Sequence, residues 1–545
     1  MENSATTTGN WFIFAAAVVV LALLASFLTC YYSTPTVFGG RDQGAIATAA
    51  INLAKNKSLT FSTPISQDLF EKYGPGKALN FPGFDYTAGG QLITRFPKAY
   101  IIYLAGFYTL FGLKGIQFAN LAPLFLFFIL FWLTLRHFFS EKISFLGFLI
   151  TVTFFPFLWF AKYTLTEIFM LFLVWAGVYF LIKGSTLRSK KVEPYLYLSL
   201  AFFALSALTR IEGIVFFLLA VGYIYILNRK KIIALPKNFQ KYLLIFVMLL
   251  LILYFFLNFH DLLDSAKNIA KAFLPDSTKD SAPSVGLYTH LTILFFKYNI
   301  LAYLILGLAG IFLLIKKLRQ SWTKPEFLII FILFPSFFYL LFPLISLDDP
   351  WLFRRFAFSV FPALIFYSIY FLNRYKKNNL LVYAIFFVFI ISNLTITGRY
   401  ISYSENKNLL PQVESLSKKF GASDLILVDR LASGSGWSLI SEPLNTIYAK
   451  QAVYFFNAED LKYIKKNNYE NIYLIAPPAR NAVSTADWRS DAGRLDGKQA
   501  WYDNLNKELV STIPISNNYL KESSGFFSLS QNIEMITTNG IWRIR

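Results

Sequence analysis

Long apolar runs recur along this chain from residue 11 to residue 397, and they limit what it can fold into. Several are long enough to cross the roughly 30 Å hydrocarbon core of a bilayer as α-helices. Only 15% of the 545 residues are charged, whereas soluble domains usually carry about 25%. A transmembrane β-barrel would instead show alternating segments of about ten residues. We therefore predict a polytopic α-helical membrane protein.

We expect about eleven transmembrane helices, one for each long apolar segment. They are 11–30, 117–135, 143–160, 167–183, 195–209, 211–228, 241–259, 295–315, 326–346, 356–373 and 380–397. The first is interpreted as a retained helix, because it lacks the basic n-region and the A-x-A site of a signal peptide. The single cysteine, Cys30, excludes an intramolecular disulfide and a cysteine-based zinc site.

Basic residues cluster in every second loop, which sets the predicted orientation. The clusters lie at 136–142, 183–191, 229–241, 316–324 and 374–377. Because basic loops face the cytoplasm, the N-terminus is predicted inside and residues 398–545 outside. The alternation requires segment 96–112, opened by Pro97 and closed by Gly112, to lie along the outer membrane surface without spanning it.

The formal charge of +20 does not indicate a nucleic-acid partner. Residues 1–404 hold 35 Lys or Arg and 16 Asp or Glu, which gives +19. Residues 405–545 hold 16 and 15, which gives +1. The basic excess therefore belongs to the membrane part and follows from its orientation.

The sequence of the C-terminal part predicts a small soluble α/β domain outside the cell membrane. Short apolar strands are predicted at 424–429, 452–456 and 471–476, with a helix at 458–468. The loop 433–437, SGSGW, lacks the spacing of a nucleotide-binding motif. We expect a membrane domain over 1–400, with a first outer loop and its juxtamembrane helices over 31–116, and an extracytoplasmic domain over 401–545.

Isolated polar residues fall on the outer side and define a candidate site. They are Arg41 and Asp42, Lys162 and Glu167, Arg210 and Glu212, His260, Asp261 and Asp264, and the stretch 348–355. Ionisable groups near membrane depth are costly and tend to face a cavity. We expect one outward-facing cavity to collect them.

Several stretches, taken in order, resemble the membrane-embedded GT-C glycosyltransferases, which include the protein O-mannosyltransferases and the aminoarabinose transferase of lipid A. The resemblance covers about residues 11–400. It rests on an early Asp in the first outer loop and on four motifs. They are RFPKAYIIYLAGFYTLFGLKGIQFANLAPLF (95–125), AKYTLTEIFMLFLVWAGVYFL (161–181), ALTRIEGIVFFLLAVGYIYIL (207–227) and DDPWLFRRFAFSVFPALIF (348–366). A double proline common in the family appears here as Pro97-Lys98, and Glu167 stands where aspartate is common.

This resemblance implies a polyprenyl-phosphate sugar as donor and an acceptor at the outer face of the cytoplasmic membrane. The acceptor is a glycan, a protein or a lipid, and the sugar is left open. Such a transfer needs a carboxylate to take the acceptor's proton and cations to hold the phosphate leaving group. Asp42 is the candidate base, with Glu167 beside it to orient hydroxyls.

The candidate substrate-binding residues are Arg41, Lys98, Arg210, Glu212, Arg354 and Arg355. A guanidinium fork suits phosphate, so we expect Arg354 and Arg355 to hold the donor phosphate about 5–10 Å from the Asp42 carboxylate. Gly39 and Gly40 are expected to let the chain turn and aim Asp42 at the cavity.

Plainer roles remain open for most of these residues. Asp42 suits the N-cap of a helix beginning at Gln43, and Glu167 suits a helix N-terminus. The arginine pair suits lipid head groups, and Lys98 can snorkel.

Arg210 and Glu212 can simply pair with each other. A divalent cation on Asp42 and Glu167 is an open alternative, and no other cofactor is indicated.

Two other classes of function compete with the enzyme hypothesis. A flippase of lipid-linked oligosaccharides would also have many spans, but its polar groups would be spread through the bilayer depth and its sequence would usually show repeats. A membrane assembly subunit without chemistry is the other alternative. Polar residues gathered at the outer face, followed by a large outer domain, favour the enzyme.

The orientation is directly testable. A reporter that is active only in the cytoplasm, fused after Arg545, should stay silent, because residues 405–545 are predicted outside. The same reporter fused in the basic loop at 374–377 should be active. An active C-terminal fusion would contradict the orientation and the position of the site.

Overall fold

The structure is a computed structural model of the chain. It describes residues 7–39, 42–186, 192–233, 235, 238–239, 241–255, 285–317, 324–341, 349–374, 379–434, 439–478, 500–521 and 528–545. Arg41, His260, Asp261, Asp264 and most of the loop 433–437 lie outside these residues. The predictions made for them are therefore not addressed by the structure.

The membrane part is a set of apolar helices. Their bounds are α1 Thr7–Tyr31, α4 Lys98–Phe118, α5 Leu121–Phe138, α6 Glu141–Val152, α7 Phe155–Ala161, α8 Thr166–Thr186, α9 Glu193–Thr209, α10 Ile211–Arg229, α11 Lys241–Phe255, α12 Val285–Lys297, α13 Ile300–Lys317, α14 Pro325–Leu333, α15 Phe338–Leu341, α16 Val360–Asn373 and α17 Asn379–Tyr400. Helix α8 packs against α5 and α9, α9 against α10, and α13 against α16.

Six helices of the described part are long and apolar enough to cross a membrane, and two bent pairs raise this to eight. Shorter apolar helices account for other predicted spans. The chain is therefore a multi-pass membrane protein, while the count of eleven stays a prediction. The segment 96–112 is part of α4, which continues to Phe118 through a break at Gly112. Helix α4 itself meets the length and hydropathy test for a span, so its position along the outer surface also stays a prediction.

Two segments predicted as single helices are broken, and the sequence explains both breaks. Segment 143–160 bends by 49° between α6 and α7, where Pro156 lies in the first turn of α7 and cannot donate a backbone hydrogen bond. Segment 295–315 bends by 103° between α12 and α13. Asn299 occupies the left-handed region there, with φ 58°, which asparagine tolerates better than most residues.

The first outer loop contains the helix that was considered at Gln43 and further elements that the sequence analysis did not predict. It contains α2 Asp42–Asn56, α3 Pro64–Tyr73 and a small antiparallel sheet of order β1-β4-β3-β2, with strands Thr60–Phe61, Gly76–Lys77, Phe84–Tyr86 and Leu92–Thr94. The small residues of α2, such as Ala45 and Ala49, allow it to pack closely on α4.

The C-terminal domain is built on a mixed five-stranded sheet of order β6-β5-β7-β9-β8. Its elements are α18 Leu409–Ser417, β5 Leu425–Asp429, α19 Ser441–Thr446, β6 Gln451–Phe455, β7 Ile472–Ala476, β8 Lys507–Lys521 and β9 Gln531–Ile544. Strand β5 runs parallel to β6 and β7, as an α/β unit requires. The prediction of one helix over 458–468 was wrong, because two short 3-10 helices lie there, at Ala458–Tyr463 and Lys466–Asn468. The long β8–β9 hairpin was not predicted.

The outer loop and the C-terminal domain share a core. Leu69 of α3 is fully buried against Leu427 and Val453 of the sheet. Around this contact, Tyr73 donates to Asp460 at 2.7 Å and Tyr469 donates to Asp68 at 3.2 Å. Burial, and then the neighbouring aspartate, raises the pKa of both tyrosines, so both hydroxyls stay protonated donors at neutral pH. The two parts therefore pack together around one hydrophobic cluster.

Candidate active site

Six of the predicted site residues meet in one chain of ion pairs. In order of contact they are Asp42, Arg354, Glu167, Arg210, Glu212 and Arg355. Acidic and basic side chains alternate, so each charge has at least one partner of opposite sign. The residues come from α2, α8, α10, the α9–α10 turn and a 3-10 helix at Trp351–Phe356.

The centre of the chain is the Glu167 carboxylate, whose side chain is 0% exposed. Its Oε1 accepts from Arg210 Nη1 at 2.8 Å and from Arg354 Nε at 2.5 Å. Thr166, one residue earlier, accepts from the same Arg210 Nη1 at 3.0 Å. Glu167 Oε2 is buried and has no hydrogen-bond partner among the described residues. A buried charge of this kind needs close partners, and here two arginines provide them.

One end of the chain is held by Glu212. Arg210 donates to both of its oxygens, at 3.2 and 3.1 Å, as expected for a pair two residues apart across the α9–α10 turn. Arg355 and Tyr339 also donate to Glu212 Oε1, at 3.2 and 2.7 Å. Arg355 lies over the Tyr339 ring, 5.4 Å from its centroid. Its side chain is 36% exposed, so this end of the ion-pair chain is accessible from outside the protein.

The other end of the chain is Asp42, whose side chain is 44% exposed. Arg354 Nη1 donates to Asp42 Oδ2, so the guanidinium bridges Asp42 and the buried Glu167. Asp42 begins α2, but among the described residues only Arg354 donates to its carboxylate. The N-cap bond considered above is therefore not formed, although the N-terminus of α2 still favours a negative charge there.

Two described glycines, Gly39 and Gly44, lie near Asp42; Gly40 is outside the described residues, so the turn predicted at Gly39 and Gly40 stays a prediction. Gly39 does not adopt a positive φ; a Cβ there would lie 2.0 Å from the Glu442 carboxyl carbon of α19. The tightest position is Gly44, where a Cβ would lie 1.7 Å from the Phe38 carbonyl oxygen. Phe38 is itself buried in the core of the C-terminal domain. Gly44 thus packs directly on the backbone of Phe38, and Phe38 is anchored in that domain.

The expectation that Arg354 and Arg355 converge on one phosphate does not match the geometry. Both lie on a 3-10 helix, which has three residues per turn, so adjacent side chains point about 120° apart. Arg354 reaches Asp42 and Glu167, whereas Arg355 reaches Glu212.

Two other predicted residues lie in different surroundings. Lys162 is buried and donates to the backbone carbonyls of Tyr400, Ile401 and Tyr403 at 2.8, 2.7 and 2.5 Å. It therefore holds the chain where it leaves α17. Lys98 donates to the carbonyls of Thr94 and Phe96, both at 2.9 Å, at the start of α4.

Sequence reasoning missed several polar residues that support the site. Tyr339 gave no signal within its apolar segment. Thr164 and Thr166 flank Leu165 in the quoted motif AKYTLTE, where polar residues between two apolar helices could have indicated a buried network. Asn120 also supports this stretch, because its Nδ2 donates to the carbonyls of Ala161 and Tyr163 at 3.2 and 2.6 Å.

The donor set of this site does not fit a divalent cation in the arrangement observed. The two carboxylates proposed as ligands, Asp42 and Glu167, are already bridged by the Arg354 guanidinium, which would repel a metal ion placed between them. Within the described residues, no group of three or more His, Cys, Asp or Glu is arranged to hold a metal. A divalent cation is therefore given no role at Asp42 and Glu167.

Comparisons with known proteins identify the fold. The sequence matches no family model and no curated protein. The structure is similar to ArnT from Cupriavidus metallidurans in the apo state, with TM-score 0.53, 12% identity and 98% of each chain covered. It is also similar to ArnT bound to undecaprenyl phosphate, with TM-score 0.52, 12% identity and 98% of each chain covered.

A second similar structure is the apo oligosaccharyltransferase from Archaeoglobus fulgidus, with TM-score 0.52 and 11% identity. The match covers 87% of this chain and 70% of that one. ArnT and the oligosaccharyltransferase are membrane glycosyltransferases of the GT-C type. The fold of this chain is therefore the GT-C fold, as the sequence resemblance predicted.

The turn before Asp42 gives a sharp test of the site geometry. In Gly44→Ala the new Cβ must displace the Phe38 backbone, so the turn should open and the Asp42–Arg354 contact should be lost. If Asp42 is the base that the sequence predicts, turnover should fall at least about 100-fold, as misplacement of a reacting group by about 1 Å can produce. The measurement is the substrate turnover of the purified variant.

The matched control is Gly106→Ala, a helical glycine with no atom within 4 Å of a new Cβ. It should keep wild-type activity and equal or greater thermal stability, because alanine favours a helix. Wild-type activity in Gly44→Ala would mean that the turn does not position Asp42.

Proposed function

We propose that this protein transfers a sugar from a polyprenyl-phosphate donor to an acceptor at the outer face of the cytoplasmic membrane. The observation that carries this proposal is the contact between the half-exposed Asp42 carboxylate and Arg354, whose other edge is held by buried Glu167. A base and a phosphate-binding cation thus stand side by side at an open end of the network.

The similar structures support the class of donor. One ArnT structure contains undecaprenyl phosphate. An archaeal oligosaccharyltransferase, AglB from Archaeoglobus fulgidus, is in complex with an inhibitory peptide and a dolichol-phosphate; its TM-score is 0.51 and its identity 12%, over 85% of this chain and 69% of that one. A polyprenyl phosphate carrying a hexose or pentose is therefore the donor that we propose here.

In the proposed reaction, the acceptor hydroxyl oxygen attacks C1 of the sugar, and the bond from C1 to the phosphate oxygen breaks. Asp42 takes the hydroxyl proton as the new bond forms. The phosphate leaves with the bonding electron pair, so the products are the glycosylated acceptor and the polyprenyl phosphate. A cation near the leaving oxygen stabilises the charge that develops on it.

Arg354 is the proposed cation. Its Nε and Nη1 bind the two carboxylates, while among the described residues Nη2 has no acceptor. The side chain is 24% exposed. A phosphate oxygen at Nη2 would complete a charge-assisted pair without breaking the contact to Glu167. The donor phosphate would then lie next to the base.

Glu167 has two proposed roles. Through Oε1 it fixes the orientation of Arg354 and Arg210. Its Oε2 has no partner in the part of the chain that the structure describes, and we assign it as the acceptor for a hydroxyl of the sugar or of the acceptor substrate. Arg210 and Glu212 support the network from the other side, and Arg355 is the proposed contact for the remainder of the substrate. Arg41 and Lys98 remain proposed donor contacts.

The proposed orientation follows from the alternation of basic loops. The N-terminus would be cytoplasmic and the C-terminal domain extracytoplasmic. That domain packs on the first outer loop, so it also borders the path of an acceptor glycan, protein or lipid. Membrane lipid surrounds the remaining apolar faces.

Asp42→Asn tests the base directly. The amide is nearly isosteric but cannot take the proton, so the glycosylated product should fall by at least about 100-fold. The product is identified by mass spectrometry of envelope glycans, glycoproteins and lipids from a strain lacking the gene, complemented with wild type or variant. Binding of undecaprenyl phosphate to the purified variant should change by less than about threefold, since the phosphate contact remains.

Glu71→Gln is the matched control, because Glu71 is an exposed outer-loop acid paired with Lys465. It should restore the product fully. A flippase or an assembly subunit would tolerate Asp42→Asn equally well, so normal product in that strain would reject the enzyme proposal.

Arg354→Ala should impair binding of the donor phosphate, which Asp42→Asn should leave nearly unchanged. Removal of the guanidinium should weaken undecaprenyl phosphate binding by about tenfold or more, as expected for loss of a charged hydrogen bond. Titration of undecaprenyl phosphate into the purified protein in lipid nanodiscs measures this. Unchanged affinity would remove Arg354 from the phosphate site while leaving the test of Asp42 intact.

A further inference from the structure

Buried hydroxyls join the segment that carries Asp42 to the segment that carries Glu167. The Oγ1 atoms of Thr36 and Thr164 are 2.5 Å apart. The Thr164 backbone N donates to Thr36 Oγ1 at 3.1 Å, and Thr164 Oγ1 donates to the Gln43 carbonyl at 2.9 Å. We refer to Thr36, Thr164 and the Gln43 carbonyl as the threonine clasp. All three residues are buried.

The hydrogen bonds of the threonine clasp have one consistent direction. A hydroxyl has a single proton, and that of Thr164 is used on the Gln43 carbonyl. Thr36 must therefore be the donor between the two hydroxyls, and its own oxygen accepts from the Thr164 amide. Each hydroxyl donates once and accepts once, so a shift of either segment along the other would leave buried polar groups without partners.

The position of the threonine clasp connects it to the reaction. Gln43 directly follows Asp42, and Thr164 precedes Glu167 by three residues. Arg354 must reach both carboxylates at once, with Nε on Glu167 and Nη1 on Asp42. The relative height of the two segments decides whether one guanidinium can do this. The threonine clasp fixes that height. It lies inside the protein, where Thr164 is only 3% exposed.

We propose that Thr164 is a positioning residue for the transfer reaction. Its hydroxyl sets the Asp42 carboxylate against Arg354 and Glu167, and it acts through them rather than by touching substrate. This inference rests on the proposed function, because it takes Asp42 as the base. Misplacement of a catalytic group by about 1 Å can cost about 100-fold in rate, so a buried clasp of this kind matters for turnover more than for binding.

Thr164→Val is the first test, since valine keeps the shape and removes the hydroxyl. We expect kcat to fall by about 10- to 100-fold while the donor KM changes by less than about threefold. Thr164→Ser keeps the hydroxyl and should restore kcat to within about threefold of wild type. Thr151→Val is the matched control: Thr151 is also buried, and among the described residues its hydroxyl bonds only to the Gly147 carbonyl of its own helix.

A double-mutant cycle separates positioning from general damage. If Thr164 acts through Asp42, the double variant Asp42→Asn, Thr164→Val should be no slower than Asp42→Asn alone. Multiplied losses in the double variant, or wild-type kcat in Thr164→Val, would overturn the inference. If Thr164→Val does not accumulate as folded protein, Thr36→Val interrupts the clasp from the other side and replaces it in the cycle.

The proposed function and the positioning role of Thr164 can be rejected separately. Full activity in Asp42→Asn alone would reject the proposed function, and the positioning role with it. An inactive Asp42→Asn together with a fully active Thr164→Val would reject only the role of Thr164.

Discussion

The Glu167 carboxylate is the constraint on which the rest of the site depends. A fully buried charge is tolerated only with close partners of opposite sign, and Glu167 takes two, Arg210 and Arg354, on one oxygen. That pairing fixes the direction of Arg354, and Arg354 in turn meets Asp42. The half-exposed Asp42 carboxylate thus depends, through Arg354, on the buried charge of Glu167.

The six residues from Lys162 to Glu167 connect nearly every part of the molecule. Lys162 holds the start of the chain that leads to the C-terminal domain, and Asn120 holds the Tyr163 carbonyl. Thr164 joins the Asp42 segment, while Thr166 and Glu167 bind Arg210. A short stretch between two apolar helices can do this because buried polar groups are stabilised by hydrogen bonds, and the partners of Lys162, Thr164 and Glu167 lie on different elements.

Much of this could be predicted from the sequence, for identifiable reasons. Apolar length and basic loops predicted a multi-pass protein, and isolated charges predicted which residues meet, from Asp42 to Arg355. The sequence could not predict which carboxylate each arginine takes, because that depends on the 3-10 helix around Arg354. It also could not predict the β8–β9 hairpin, whose strands pair antiparallel, nor Gly44, whose importance lies in its contact with the Phe38 carbonyl.

The most direct measurement is a structure of the full chain in a lipid nanodisc with undecaprenyl phosphate bound. The account predicts a phosphate oxygen about 3 Å from Arg354 Nη2, with the Asp42 carboxylate about 5–10 Å from the phosphorus. It also predicts that Arg354 keeps its contact with Glu167. A phosphorus atom more than about 20 Å from the Asp42 carboxylate, with the ion-pair chain unchanged and no shared cavity, would contradict the roles proposed for Asp42 and Arg354.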